Sequence, residues 1–318
     1  MRQTRRPVFS ICIPVFNRKV GVRRAVMSAL EQTFQDLEVI VVDNCSTDGT
    51  WEEIKALTDP RIRCYRNETN IGMFPNFSRC AALSRGRYVI MLCSDDTLTA
   101  GFLEHAKGVL ELNSSACLLT SAARLVNDSG RPIRLINTIV PEGLYAGETA
   151  RHAFFWYNAL LGINIFNYPS GIVIRGEELK RALPFRSELG DVADVDFWIR
   201  CLFGGNLLVS HFVGCHVTWN TQQASAQGRK IGKHIRELEA LAHIHLSGDE
   251  DRALLTRSIH LLGASKLKYF LRYFPGTASA SNAPARDIYS MLTASVLRVI
   301  FLCVQRMGLK FRSPLRRL

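Results

Sequence analysis

No G-x-x-x-x-G-K-[ST] loop and no G-x-G-x-x-G fingerprint occurs in the sequence, so neither a P-loop nor a dinucleotide site is supported. No C-x-x-C pair and no Cys/His ligand pattern occurs either, although the chain holds nine cysteines. Several of them (Cys12, Cys93, Cys117) stand in apolar, strand-like runs. That favours buried thiols in a reducing compartment over a disulfide framework. The eight histidines form no ligand spacing. No uninterrupted apolar stretch reads as a transmembrane span. Arg2, Arg5 and Arg6 followed by "VFSICIPVF" mimic a signal peptide, but Pro14 interrupts the run, "NRK" follows, and no small-residue cleavage site is evident. Repeats and extensive low-complexity tracts are absent. A composition of 47% hydrophobic and 21% charged residues excludes a disordered chain.

The net charge of +12 is unevenly placed. Residues 226–318 hold 16 Lys/Arg against 6 Asp/Glu, whereas residues 1–225 hold 24 against 22. A basic excess suits anionic lipid, nucleic acid or solubility.

The first part of the chain alternates strand and helix. Strands are expected at 9–14, 37–43, 62–67, 87–96 and 116–126. Helices are expected at 20–32, 50–57, 75–86 and 100–112, with Thr50 capping the second and Gly86 ending the third. This order predicts an α/β fold: a mostly parallel sheet wrapped by helices. After residue 127 the pattern loosens. Residues 166–179 read as loop, strand and helix, and 194–210 as helix, Gly-Gly turn and strand. From about 231 the reading is mainly helical, with a linker at 277–285.

The stretch "VIVVDNCSTDGTWEEI" (39–54) is an apolar run closed by Asp43 and a polar turn. "YVIMLCSDD" closes in the same way on Asp95 and Asp96, and the first strand ends in "PVFNR". In a parallel α/β sheet these ends share one edge, where ligands bind. Three carboxylates gathered there repel one another unless a cation balances them. A hard divalent metal bridging a diphosphate is the economical explanation.

The ordered motifs "IPVFN", "VIVVDNCSTDGT", "NETNIGMFPNFSRC" and "GRYVIMLCSDD" resemble family 2 glycosyltransferases of the GT-A fold. The match is strongest over residues 8–112 and extends more weakly to about 225. The resemblance implies a nucleotide-diphosphate sugar donor, a UDP-sugar foremost. Pro14, Val15, Phe16 and Asn17 would lie beside the nucleoside, and Asp43 would accept a hydrogen bond from the base. Asn70 and Gly72 would belong to the donor loop. Ser94 and Asp95 would face the ribose-diphosphate, with Asp95 and Asp96 holding Mg²⁺ or Mn²⁺. Two positions depart from the pattern: Asn44 replaces a common second aspartate, and Cys93 replaces the first aspartate of "D-x-D-D".

The second half implies the acceptor side. "ADVDFWIR" (193–200) resembles the family's "E-D-x-D-L-W-L-R" helix, which makes Asp194 the general base with Asp196 as second candidate. Helical residues two apart do not share a face, so only one of them should reach the crevice. Trp198 and Phe197 read as core. In "TWNTQQAS" (218–225), Thr218 and Asn220 replace the Arg and His of the family's "R-x-H-x-x-Q-x-S/T".

The expected organisation is a catalytic domain over 1–230, with a nucleotide-sugar half (1–112) and an acceptor half (113–230), and a basic helical region over 231–318. The expected activity is inverting, metal-dependent transfer to a glycan or lipid-linked acceptor in bacterial surface polysaccharide or glycolipid assembly. The expected location is the cytoplasm, peripheral on the inner face of the membrane. There the tail from 288, with six basic and no acidic residues, would meet anionic lipid. No nucleic-acid partner is expected. A sugar nucleotidyltransferase and a non-catalytic nucleotide-sugar binder are the competing readings.

Overall fold

The computed structural model describes residues 6–137, 140–161, 164–219, 237 and 240–245. The linker, the basic tail and most of the "TWNTQQAS" stretch lie outside the described residues. The chain divides into two compact units, residues 1–151 with 165–228 and residues 152–164 with 229–318. Everything described below belongs to the first, except residues 152–161 of α5, which fall in the second.

β1 (Phe9–Val15) and β2 (Leu37–Asp43) are buried at all seven positions each, as their Val/Ile runs require of strands covered on both faces. They pair in parallel, with Val15 opposite Asp43. β3 (Ile62–Arg66) joins β2 in parallel and sets Arg66 opposite Asp43. β4 (Tyr88–Met91) joins the other side of β1, also in parallel. Between them run α1 (Lys19–Leu30), α2 (Thr50–Lys55) and α3 (Met73–Leu83).

The sheet then changes character. β5 (Thr97–Leu98) and α4 (Phe102–Leu112) follow β4, and β6 (Ala116–Val126) carries β7 (Pro132–Ile136) on its far part. β8 (Gly143–Tyr145), α5 (Gly147–Leu161), β9 (Ile172–Arg175), α6 (Gly176–Ala182), α7 (Ala193–Cys201) and β10 (Asn206–Thr218) complete the order. Across the sheet the strands run β3-β2-β1-β4-β9-β6-β10-β5. β9 is antiparallel to both β4 and β6, so the sheet is mixed in its second half. β10 lies parallel to β6 with register shifts, and its length carries Thr218 to the edge where β4 ends.

Two expected helix boundaries move for physical reasons. Thr50 is the first helical residue of α2 and left-handed Gly49 its cap position, while Asp48 before it accepts from the Thr50 backbone N–H at 3.0 Å and from its hydroxyl. α3 ends at Leu83. Gly86 lies beyond it, where a Cβ would meet the backbone nitrogen of Ser10 at 2.4 Å, so close strand approach is what requires glycine there. Gly21 of α1 is constrained in the same way: a Cβ would stand 2.6 Å from the carbonyl oxygen of Ser94. That contact presses α1 directly onto the turn after β4.

At the amino end of β2, Glu38 is a buried carboxylate. It accepts from the Ser10 hydroxyl at 2.6 Å, the Arg63 guanidinium at 2.9 Å and Arg85 at 2.8 Å. Burial raises its pKa, but the bonds from Ser10, Arg85 and Arg63 outweigh this and hold it below the ordinary 4.5. Its contribution to stability is therefore present above that pH and is lost as the pH falls through the folded value. Glu38→Gln should lower the unfolding free energy by about 3 kcal/mol at pH 7, because two guanidinium groups lose their counter-charge. Urea titrations at pH 7 and pH 3.5 check this: the difference should shrink at the lower pH, and an equal loss at both would assign it to packing.

Candidate active site

The carboxyl edge of β1 and β2 is built by cross-loop hydrogen bonds. The backbone N–H of Asn44 donates to the Val15 carbonyl at 2.8 Å. Asn17, in the left-handed region at φ 51°, donates its N–H to the Ser46 hydroxyl at 2.9 Å and accepts from the Thr47 N–H through Oδ1 at 2.9 Å. The N–H of Arg18 donates to the Thr50 hydroxyl at 2.9 Å. These bonds make one rigid rim of the two loops. Within it Asp43 is fully buried. Its carboxylate accepts the Ser46 N–H and pairs with Arg66 Nε at 3.1 Å. The Arg66 guanidinium in turn lies over the Trp51 ring and donates to the Ser46 carbonyl at 2.8 Å. Pro14 and Val15 are buried in β1, and Phe16 stands exposed beside them.

Asn44 has a clear chemical reason to be an amide. Its Nδ2 donates to Asn70 Oδ1 at 2.7 Å and to the Gly72 carbonyl at 3.1 Å. Its Oδ1 accepts from Asn67 Nδ2 at 2.7 Å and from the Ile71 N–H at 3.0 Å. An aspartate has no donor for those two oxygens. Asn67 continues the chain to Asn76, which donates to the Val42 carbonyl at 3.1 Å. The expected donor-loop residues Asn70 and Gly72 are thus tied to the end of β2.

β4 ends at Met91, earlier than the apolar run suggests, because the chain turns: the Asp96 N–H returns to the Cys93 carbonyl at 3.0 Å. Ser94 and Asp96 are buried, and Asp95 is partly exposed with its carboxylate 3.9 Å from Arg18 Nε. Asp96 receives the Ser170 hydroxyl at 2.5 Å and the Thr218 N–H at 3.1 Å. Burial, and then the charge of Asp95, push its carboxyl up to about 8, with the bonds from Ser170 and Thr218 acting the other way. Burial, and then the charges of Asp96, Asp95 and Asp194, push the Cys93 thiol well up. Cys93 therefore sits in the field of all three carboxylates. Among the described residues, no three His, Cys, Asp or Glu side chains gather as a complete ligand set.

α7 brings the remaining candidates. Asp194 is partly exposed, and its Oδ1 accepts the Val195 N–H at 2.8 Å. Asp196 is fully buried and paired with Arg200 Nε at 2.8 Å and with Arg186 at 3.5 Å. The helix is seated by Phe197, which stacks on Phe185 with centroids 3.8 Å apart, while Phe185 also meets Phe74 and Phe77 of α3. Phe197 and Trp198 are core. Ser170 and Arg66 belong to no motif in the sequence, and Asn67, the first residue of "NETNIG", has no role assigned by that motif. A lone serine in "YPSG" reads as turn, and only the crossing of β9 beside β4 brings it to Asp96.

Residues 10–162 match the family model described as Glycosyl transferase family 2. An Escherichia coli relative, UDP-Glc:alpha-D-GlcNAc-diphosphoundecaprenol beta-1,3-glucosyltransferase WfaP, is 38% identical over 87 residues, 27% of this chain and 35% of that protein. The chain spans less than two thirds of the length of the first curated relatives it matches. Residues 1–349 of S. aureus TarS, solved with UDP-GlcNAc, share the fold at a TM-score of 0.63 and 17% identity, over 81% of this chain and 72% of that one. The mannosyltransferase PcManGT of Pyrobaculum calidifontis, solved with GDP-Man and Mn²⁺, gives a TM-score of 0.58 at 17% identity, over 96% and 84%. Both are GT-A glycosyltransferase structures, and the mixed, mostly parallel sheet described above is of that kind. Among the described residues no helix is long and apolar enough to cross a membrane.

The buried carboxyl of Asp96 makes a stability prediction. A carboxyl of ordinary pKa 3.8 raised to about 8 contributes stability that is full below 3.8 and is lost as the pH rises through 8. Asparagine at this position carries no such loss. Asp96→Asn should therefore melt above the natural chain at pH 8, by more than about 4 °C, without donor or cation, and the gap should close toward pH 4. Scanning calorimetry at the two pH values checks this; a variant that melts lower at both would contradict it.

Proposed function

From the match of residues 10–162 to the Glycosyl transferase family 2 model we propose that the chain is an inverting glycosyltransferase of that family. It moves a sugar from a nucleotide-diphosphate sugar, a UDP-sugar foremost, to a hydroxyl of a glycan or lipid-linked acceptor in bacterial surface polysaccharide or glycolipid assembly. The observation that carries this reading is the turn after β4, where Asp96 is buried and held by the Ser170 hydroxyl and the Thr218 N–H while Asp95 stands partly exposed beside Arg18. Nucleotide sugars bound to TarS and PcManGT support the donor class, and the diphosphoundecaprenol acceptor named for the E. coli relative supports a lipid-linked acceptor. Such an acceptor puts the work at the cytoplasmic face of the membrane.

Asp43, oriented by Arg66 and the Ser46 N–H, accepts a ring N–H of the base. Asp95 and Asp96 fit Mg²⁺ or Mn²⁺. They are hard oxygen donors, and Asp96, when ionised, has no cationic side-chain partner among the described residues. Two carboxylates with substrate phosphates are a usual donor set for such a cation. When bound, it would offset the charge developing on the departing diphosphate. Arg18 stands beside Asp95 at the same rim.

Asp194 serves as general base, taking the proton from the acceptor hydroxyl that attacks the anomeric carbon from the face opposite the diphosphate. Asp196 is committed to Arg200 and Arg186 and holds α7 in place instead.

The test is transfer from a panel of nucleotide sugars, with the product's anomeric configuration read by NMR. Asp194→Asn should lower kcat by about 10²–10⁴-fold with donor KM little changed. Excess chelator should abolish transfer. Full turnover in Asp194→Asn, or a retained anomeric configuration, would sink the mechanism, and full turnover in chelator would remove the cation from it.

A further inference from the structure

Ser170 lies in the short 3-10 turn Pro169–Gly171 that leads into β9, and it is fully buried. Its hydroxyl makes two bonds. It accepts the backbone N–H of Cys93 at 3.1 Å and donates to Asp96 Oδ2 at 2.5 Å. Asp96 Oδ1 is held from the other side by the Thr218 N–H at 3.1 Å, and the Thr218 hydroxyl donates to the Asp95 carbonyl at 2.6 Å. One residue before β9 and one at the end of β10 thus clamp the turn after β4. The clamp cannot easily drift. A Cβ on Gly171 would stand 2.7 Å from the Ser121 hydroxyl oxygen, and that hydroxyl donates to the Gly171 carbonyl at 2.8 Å. Each oxygen of a carboxylate can accept about two hydrogen bonds. Asp96 is therefore fixed by one bond per oxygen and keeps capacity on both for a ligand.

We propose that Ser170 is a positioning residue of the donor site: its hydroxyl sets the side-chain rotamer of Asp96 and the backbone of the Cys93–Asp96 turn together, so that Asp96 meets the diphosphate end of a nucleotide in a fixed orientation. The proposal rests on the reading of Asp96 given above and adds a residue from the second half of the chain to that site. A hydroxyl is required because the group must accept from an N–H and donate to a carboxylate at once. Alanine can do neither.

The test is a double-variant cycle on nucleotide affinity. Calorimetric titrations of UDP, GDP and dTDP with Mn²⁺ are made on the natural chain, Ser170→Ala, Asp96→Asn and the double variant. Ser170→Gly runs in parallel as a second hydroxyl-free variant, and circular dichroism checks that each is folded. The best-bound nucleotide should weaken about tenfold in Ser170→Ala. In the Asp96→Asn background the same change should cost less than about twofold, since Ser170 acts through Asp96. An equal loss in both backgrounds, or no loss in a folded single variant, overturns the role of Ser170 and leaves that of Asp96 standing. Undiminished affinity in Asp96→Asn, or no nucleotide binding by the natural chain, overturns the reading of Asp96 itself and this inference with it.

Discussion

A carboxyl group buried beside a second carboxylate, with a hydroxyl and one backbone N–H as its partners, is costly to ionise. Asp96 is in that position, and the parts of the site are arranged around it. α1 is pressed onto its turn through Gly21, β9 supplies Ser170, and β10 supplies Thr218. A fold selected for stability alone would replace the group with an uncharged one. Keeping it makes sense if the missing positive charge arrives with a ligand. That makes the edge of the sheet complementary to an anionic, cation-bearing group, which a nucleotide diphosphate is.

The rest of the site is preorganised by ordinary packing and hydrogen bonding. The loops after β1 and β2 are tied by the Asn17, Ser46, Asp48 and Thr50 bonds, and the loop carrying Asn70 and Gly72 is tied to them through Asn44. α7 is seated against α3 because Phe185 stacks on Phe197 while also packing on Phe74. Asp196 and Arg200 fasten it further, with Arg200 donating to the Pro184 carbonyl at 2.8 Å. Burial separates Asp194 from Asp196: the first is partly exposed, and the second is fully buried and paired with Arg200 and Arg186.

How much of this was legible in the sequence depends on what each part is made of. β1, β2 and β6 could be read because continuous apolar runs closed by polar turns have little other use in a chain of this kind. The carboxylates at the strand ends could be read for the same reason. β5, β7 and β8 could not: they are two to five residues long, and β7 is largely exposed. α5 was not read, although Ala150, Phe154, Tyr157 and Leu161 recur at helical spacing. The antiparallel direction of β9 is a property of pairing, and local pattern does not encode it. The clamp on Asp96 was invisible because Ser170 and Thr218 are separated from it by 74 and 122 positions. The amide at Asn44 looked like a departure from the family pattern; only its partners show that it is a donor in use.

The most direct test of the account is the proton balance of donor binding. A nucleotide sugar has no phosphate proton of its own to lose near neutral pH, so any proton released comes from the protein. Calorimetric titration of the best-bound nucleotide sugar with Mn²⁺ at pH 7, in two buffers of different ionisation enthalpy, measures that balance. With the Asp96 carboxyl raised to about 8, binding should release protons, on the order of one per site, and the release should vanish in Asp96→Asn. Binding with no proton released by the natural chain would contradict the claim that this buried carboxyl is the group waiting for the donor's cation.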